Sequence, residues 1–524
     1  MQGRKQFQEK LFTNFQLSQH VPEDNFYRRL KEVLSLQWLY KATEKYYGLE
    51  GQQSIDPVVF FKLMLIGYLE NLPSDRRIIN MAKLRLDMLY FIGYNIDEEL
   101  PWHSTLSRTR QMYGQEVFRA LFKKVLSLCI DKEMVSGKRQ AMDSVAVQAN
   151  ASMESLKKRD LIGDIDNYAD ELDDEQQKDG EDHGNSVSTT NKNLKQDVKQ
   201  ENITSDNNKR HKDVSNDTLC STTDADARVS VKPGKARRLN YLAQVSVDTA
   251  NHVITQIQSD YADKKDSQCL PSLLQNTVDN LSEHGLNVEE ILADGNYSSA
   301  EALQILEHKN IEAYIPNFGA YKHSREGFMY NEEKDLYICS EGKVLEYKRL
   351  KESHGNENKM KEYRSSSKDC SACPLKNKCI GKSLYKTLAV TVDKELFEKM
   401  HHRLQTSKAR RMKKLRSSTV EPVLGTLVNF LGMRRVYTKG IRMADKCMIM
   451  AAVAYNLKKL LKWDINRTRM MIKEKCGGLK MDLKQLFMCL DVTLNSIGLY
   501  LADPDLKLSI PNNNLLTCYF TQKK

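Results

Sequence analysis

The residues best suited to chemistry in this chain are three acids far apart in sequence: Asp143 in "AMDSVAV", Asp294 in "ILADGNYSS" and Glu421 in "RSSTVEPVLGTLVNF". Each has an ordinary use. An aspartate before Gly295 and Asn296 can simply end a strand. One inside an apolar strand is costly unless paired, and Arg139 lies close in sequence. A glutamate before Pro422 can occupy a first helical turn, where the dipole favours it. Gathered in one place, the three acquire a different use. Clustered carboxylates repel unless a cation neutralises them. Hard oxygen ligands with room for water and phosphate favour Mg2+ or Mn2+. Two such ions ~4 Å apart can activate an attacking oxygen and stabilise a leaving one in phosphodiester displacement.

The elements that must position these acids are legible from periodicity. Strand-like sequence covers 139–151, 239–248 and 252–260, the last two forming a hairpin around Asp248 and Asn251. A helix is expected at about 269–284, then a fourth strand ending at Asp294, a helix at 299–308 and a fifth strand at 311–316. After an insertion at 319–383, a basic segment leads into a helix opened by Glu421. Three meandering strands followed by α-β-α-β build a mixed sheet with helices on both faces. Its first strand is central and its fourth runs beside it, so Asp143 and Asp294 become neighbours. The expected class is α/β (mixed), with a central mixed five-stranded sheet.

Ahead of that sheet, residues 1–135 are expected to form an all-helical domain. Asp56-Pro57 suits the start of a helix ending near Leu69, and Ser74 can cap "DRRIINMAKLRLDMLYFIG". Ser104 or Thr105 can cap a further helix that shows Arg108 and Arg110 to solvent. A basic helix after a turn suits DNA, and an ordinary packing helix with solvated arginines fits equally well. Residues 153–226 lack either periodicity and are read as a disordered acidic insertion, interrupting a domain that spans 136–465. Residues 466–524 are expected to form a C-terminal helical tail.

Charge points to the partner. Over 524 residues, Lys plus Arg exceed Asp plus Glu by 80 − 69 = 11. Residues 160–183 hold eleven acids against Lys178 alone, so the remainder carries about +21, which suits an anionic polymer. No membrane role is expected: "VVFFKLMLIGYL" is broken by Lys62 and too short to span a bilayer. The opening "MQGRKQFQEKLF" lacks the apolar stretch of a signal peptide, so a cytoplasmic setting with reduced thiols is expected. Asp224 and Asp226, at the edge of the insertion, and Asp248, in a turn, are competing carboxylates for which solvated roles are expected. The run "HHRLQTSKARRMKKLR" (401–416) includes Arg410, Arg411, Lys413, Lys414 and Arg416, and is read as contacting phosphate rather than as a merely solvated face. Cys370, Cys373 and Cys379 in "CSACPLKNKC", with Cys339 upstream, fit a structural Zn2+ knuckle; unliganded thiols in a reducing cytosol fit as well.

"AMDSVAVQANAS", "ILADGNYSSAEAL" and "RSSTVEPVLGTLVNFLGMRRVYTKGIRMADKCMIMAAVAYNLKKL" resemble the three catalytic blocks of bacterial insertion-sequence transposases of the DDE type. "STTDADARV" and "YLAQVSVD" are similar to the stretch between the first two catalytic acids of that family, and residues 1–135 resemble its helical N-terminal domain. The resemblance implies an RNase H-like catalytic core with Asp143, Asp294 and Glu421 as ligands of two Mg2+ or Mn2+ ions. It implies cleavage and joining of double-stranded DNA, element ends and target alike, by a cytoplasmic, nucleoid-associated enzyme. A homodimer on DNA is expected because two ends must be held together. Relatives commonly carry Lys or Arg seven residues after the glutamate, where this chain has Val428; Arg434 or Arg435 can replace that phosphate contact. A metal-dependent nuclease without strand transfer, and a DNA-binding protein without catalysis, are the alternative functions.

Overall fold

The computed structural model describes residues 15–48, 54–159, 216–230, 237–317, 325–353 and 356–464. Most of the acidic insertion and the expected C-terminal tail lie outside the described residues. Residues 1–461 form one compact unit, and 462–524 are assigned to a second.

The first part of the chain is helical: α1 (Leu17–His20), α2 (Phe26–Val33), α3 (Trp38–Thr43), α4 (Pro57–Leu69), α5 (Asp75–Leu84), α6 (Leu86–Ile92), α7 (His103–Met112) and α8 (Gln115–Asp131). Asp56 caps α4 by accepting from the backbone N–H groups of Val58 and Val59 at 2.6 and 3.2 Å, with Pro57 behind it. Ser74 caps α5. The single helix expected after Ser74 breaks at Arg85, whose backbone is extended (φ −116°, ψ 117°). Its guanidinium bonds Glu70 at 3.1 Å and Asp87 at 2.6 Å, which fixes the corner. Helix α7 begins after Trp102, not at a Ser104 or Thr105 cap.

The main sheet contains β1 (Arg139–Gln148), β4 (Arg228–Ser230), β5 (Arg238–Asp248), β6 (Ile254–Tyr261), β7 (Glu290–Leu292) and β8 (Glu312–Tyr314). Strand β5 runs antiparallel to β1 and β6, whereas β7 runs parallel to β1 and β8. The first strand is therefore central, and β7 lies beside it, as expected. The addition is the short β4, paired to the start of β5. It follows β2 (Leu156–Lys158) and β3 (Leu219–Ser221), which pair with each other, so the edges of the expected disordered insertion are ordered. Strand β5 is buried along nearly its whole length because both faces of the sheet are covered.

Alternation along β1 decides which side chain meets which layer. Met142 joins a core with Leu273 and Leu274 of α9 (Asp266–Ser282), Leu303 and Leu306 of α10 (Ala300–His308), and Ile291. Asp143 turns to the opposite face.

The insertion after β8 holds an element that the sequence did not announce. Strands β9 (Phe328–Asn331), β10 (Leu336–Cys339), β11 (Val344–Ser353), β12 (Asn356–Ser365) and β13 (Thr387–Thr391) form a separate antiparallel sheet in the order β13-β12-β11-β10-β9. Tyr337, Leu345, Tyr363 and Leu388 are its core. Two short helices, α11 (Ser367–Ser371) and α12 (Lys376–Cys379), connect β12 to β13.

Then come α13 (Lys394–Leu404), α14 (Ser407–Phe430) and a largely buried helix, α15, over 441–464. Glu421 and Pro422 lie inside α14 rather than at its start; Thr406 is the cap, accepting from the Ala409 N–H at 3.1 Å. In α15, Asn456 accepts from the Ile254 N–H (3.0 Å) and donates to the Ile254 carbonyl (2.9 Å), pinning the edge of β6.

Candidate active site

Ala141 of β1 is level with Leu292 of β7, so two residues further on Asp143 and Asp294 come side by side. Asp294 does end its strand: its Oδ1 accepts from the Gly295 N–H at 2.7 Å and starts a 3-10 turn, Gly295–Tyr297. Beneath that turn, Tyr297 donates its hydroxyl proton to Gln244 (2.5 Å), and Gln244 donates to Asp266 (3.2 Å). This buried chain fixes the turn against β5. Gln244, a polar residue inside the apolar "YLAQVSVD", was the available sequence signal for it.

Asp143 accepts from the Ser144 N–H through Oδ1 (2.8 Å) and from Arg416 Nη1 through Oδ2 (2.8 Å). Burial pushes its carboxyl above the ordinary range, opposed by the Ser144 N–H and Arg416, and the nearby Asp294 charge pushes the same way as burial. The cation expected from sequence proximity, Arg139, instead pairs with Glu290, which Lys408 also holds at 2.6 Å. Arg416 reaches Asp143 from α14, on the helix face that buries Met412, Val420, Val423 and Leu427.

Glu421 is exposed. It lies five residues beyond Arg416, which is roughly 140° around the helix axis and about 7.5 Å along it. Two of the three acids are thus brought together and the third is not beside them. Among the described residues, no three His, Cys, Asp or Glu side chains gather closely enough to hold a metal. The donors that do meet fit a divalent cation: one carboxylate within β1 and one just past the end of β7, with the Asp294 charge disfavouring that of Asp143.

The competing acids have structural roles, not the solvated ones expected. Asp224 is buried, accepting from the Tyr241 hydroxyl (2.6 Å) and the Gly440 N–H (3.1 Å), and Asp226 accepts from the Ile441 N–H (2.9 Å). Together they hold the start of α15. Asp248 is buried beneath the hairpin, taking bonds from Gly137 (2.8 Å), Gln140 (3.0 Å) and Ala250 (2.9 Å).

Of the basic residues, Arg108 is exposed as expected. Arg110 is not: it is buried, with its guanidinium on Asp75 at 2.5 and 3.1 Å, so it braces α7 against α5. Arg410, Arg411, Lys413 and Lys414 are exposed on α14 and make no ion pair among the described residues. Arg434 is exposed and bonds Asn429 (2.7 Å), while Arg435 bonds Asn150 (3.2 Å), where residues 434–436 pair with the end of β1. Cys339, Cys370, Cys373 and Cys379 are free thiols, half-buried at β10, in α11, between α11 and α12, and at the end of α12 respectively. Cys339 Sγ accepts from the Lys343 N–H (3.3 Å), and Cys370 Sγ lies 3.0 Å from the Ser365 hydroxyl.

Two families match the chain. Residues 15–112 match the family described as "Transposase domain (DUF772)", and residues 338–461 match the "Transposase DDE domain". The second match contains the four cysteines, the basic run, Glu421 and most of α15; Asp143 and Asp294 lie in neither. No curated protein matches the chain. No described helix is long and apolar enough to cross a membrane. A transposase helical domain ahead of a DDE domain, with a mixed sheet and paired aspartates between the two matches, supports a DDE-type insertion-sequence transposase, an enzyme acting on DNA by cleavage and transesterification.

Proposed function

We propose that this transposase binds the terminal inverted repeats of its element through the helical region, then cuts and joins DNA at Asp143, Asp294 and Glu421. The observation that carries the reading is the placing of Asp143, within β1, beside Asp294, two residues past the end of the parallel strand β7, where the Asp294 charge raises the cost of ionising Asp143. Two Mg2+ or Mn2+ ions, held by these carboxylates, would supply charge neutralisation at the phosphate. Glu421, five residues past Arg416, would complete the ligand set once DNA is seated and α14 has adjusted. Water would displace the 3′ oxygen of one phosphodiester. The freed 3′-hydroxyl would then displace its counterpart in target DNA, one P–O bond forming as another breaks. Arg410, Arg411, Lys413 and Lys414 would hold the backbone, with Arg108, Arg434 and Arg435 as further contacts. Cys339, Cys370, Cys373 and Cys379 do not gather as a Zn2+ site among the described residues, and a cytoplasmic, nucleoid-associated homodimer would hold both ends.

The test is Mn2+-dependent cleavage and joining of DNA carrying the inverted repeats that flank the reading frame. Wild type should do both. Asp143→Asn, Asp294→Asn and Glu421→Gln should each lose at least about 100-fold in cleavage rate, equivalent to about 2.7 kcal/mol. Cleavage without joining by the wild type would favour a nuclease, and full activity in Glu421→Gln would remove that residue from the site.

A further inference from the structure

Asp143 occupies the middle of the central strand, with a side chain about one-fifth exposed, beside a second carboxylate. Such a pair needs a cation whether or not a metal is present. Among the described residues, Arg416 is the only side chain that forms an ion pair with either acid. Its own side chain is 16% exposed, so the contact is sheltered from solvent rather than a surface pair.

We propose that Arg416 is a positioning residue that acts as the resident counter-charge of the metal site: it holds Asp143 until a divalent ion arrives, and that ion must displace it. The inference rests on the reading of Asp143 and Asp294 as metal ligands. Three features of the geometry carry it. The guanidinium takes Oδ2, while Oδ1 is already held by the Ser144 N–H, so a cation approaching Asp143 competes directly for the oxygen that Arg416 occupies. The contact is one-pronged, through Nη1, and therefore releases more readily than a bidentate fork. Finally, Arg416 belongs to the helix whose outer face carries Arg410, Arg411, Lys413 and Lys414. A released guanidinium is thus tethered beside the surface on which phosphate would lie.

Displacement makes a definite thermodynamic demand. Metal binding is weakened by the fraction of molecules in which Arg416 holds Asp143, and removing the arginine lifts that handicap. A merely structural arginine predicts the reverse, because losing it would loosen the site and weaken binding.

The experiment is a Mn2+ titration of the full chain without DNA, following the free-ion signal by electron paramagnetic resonance, with a thermal melt of every variant. Asp143→Asn should abolish the site. Arg416→Gln should lower the Kd for Mn2+ about tenfold relative to wild type. Arg416→Lys, which keeps the charge, should stay closer to wild type than Arg416→Gln does. If Arg416→Gln does not fold, Arg416→Met keeps the aliphatic stem and should show the same tightening. An Asp143-dependent site whose affinity is unchanged or weaker without the arginine overturns the proposal. Equal binding by Asp143→Asn and wild type instead overturns the assignment of Asp143 as a ligand, so the two failures are distinguishable.

Discussion

Lys446 lies in the buried helix α15 with only 5% of its surface exposed. Its Nζ donates to the Arg110 carbonyl at 2.9 Å and sits over the Phe118 ring. No acid meets it in an ion pair among the described residues, and burial brings its amine down to about 8. In the unfolded chain the same amine returns to the ordinary lysine range, near 10.4. Between those values the unfolded state holds a proton that the folded state has released, so stability rises with pH across that window. Below about pH 8 both states are protonated and the slope vanishes. Urea unfolding should therefore show wild-type stability climbing from pH 8 to pH 10, and Lys446→Met should lack that part of the climb; identical pH profiles would mean the amine is not perturbed. Neither Lys446 nor Arg110 was legible as a buried cation. Arg110 finds Asp75 thirty-five residues upstream, a partner visible only once α5 and α7 pack. Asp143 and Asp294 were legible because an acid at the end of, or within, an apolar run demands a reason.

Among elements, the strands of the main sheet announced themselves because both faces are covered. "LNYLAQVSVD" has to be apolar nearly throughout, so β5 could be read directly. The second sheet was silent for the opposite reason. Strands β11 and β12 are written "VLEYKRLKES" and "NENKMKEYRS", in which charged residues outnumber the tyrosines and leucines. Helix α14 was legible in its basic character but not in its start, since a proline ordinarily marks a first turn and Pro422 sits in the interior. Its exposed face carries a prediction. Replacing Arg410, Arg411, Lys413 and Lys414 together by Ala should weaken DNA binding similarly for all sequences. The slope of log K against log salt should shrink by about 0.9 for each phosphate that is no longer neutralised. A salt slope identical to wild type would assign that face to solvent.

At the scale of the molecule, a helical region and a mixed α/β region could be read in the sequence, but not how they join, because the joint is made by residues hundreds of positions apart. Asp445 of α15 has a side chain 3% exposed and is reached from both sides. Arg119 of α8 bonds it at 2.7 Å, Gln115 at 3.3 Å, and the Ser259 N–H of β6 at 2.9 Å. One carboxylate therefore ties the helical region, the last helix and the sheet edge into the single unit that residues 1–461 form. Arg119→Ala would leave that charge buried with only neutral donors, which costs more than losing the pair itself. Because Arg119 is partly exposed and water can partly replace it, the expected loss is about 1–3 kcal/mol, below the range for a fully buried pair. Asp445→Asn keeps the shape, removes the charge and frees Arg119 to solvent. Added to Arg119→Ala, it should recover part of the loss, giving a non-additive double-mutant cycle in thermal or urea unfolding. Strictly additive losses would show that the two side chains act independently, and the joint would then rest on the apolar surface of α15 alone.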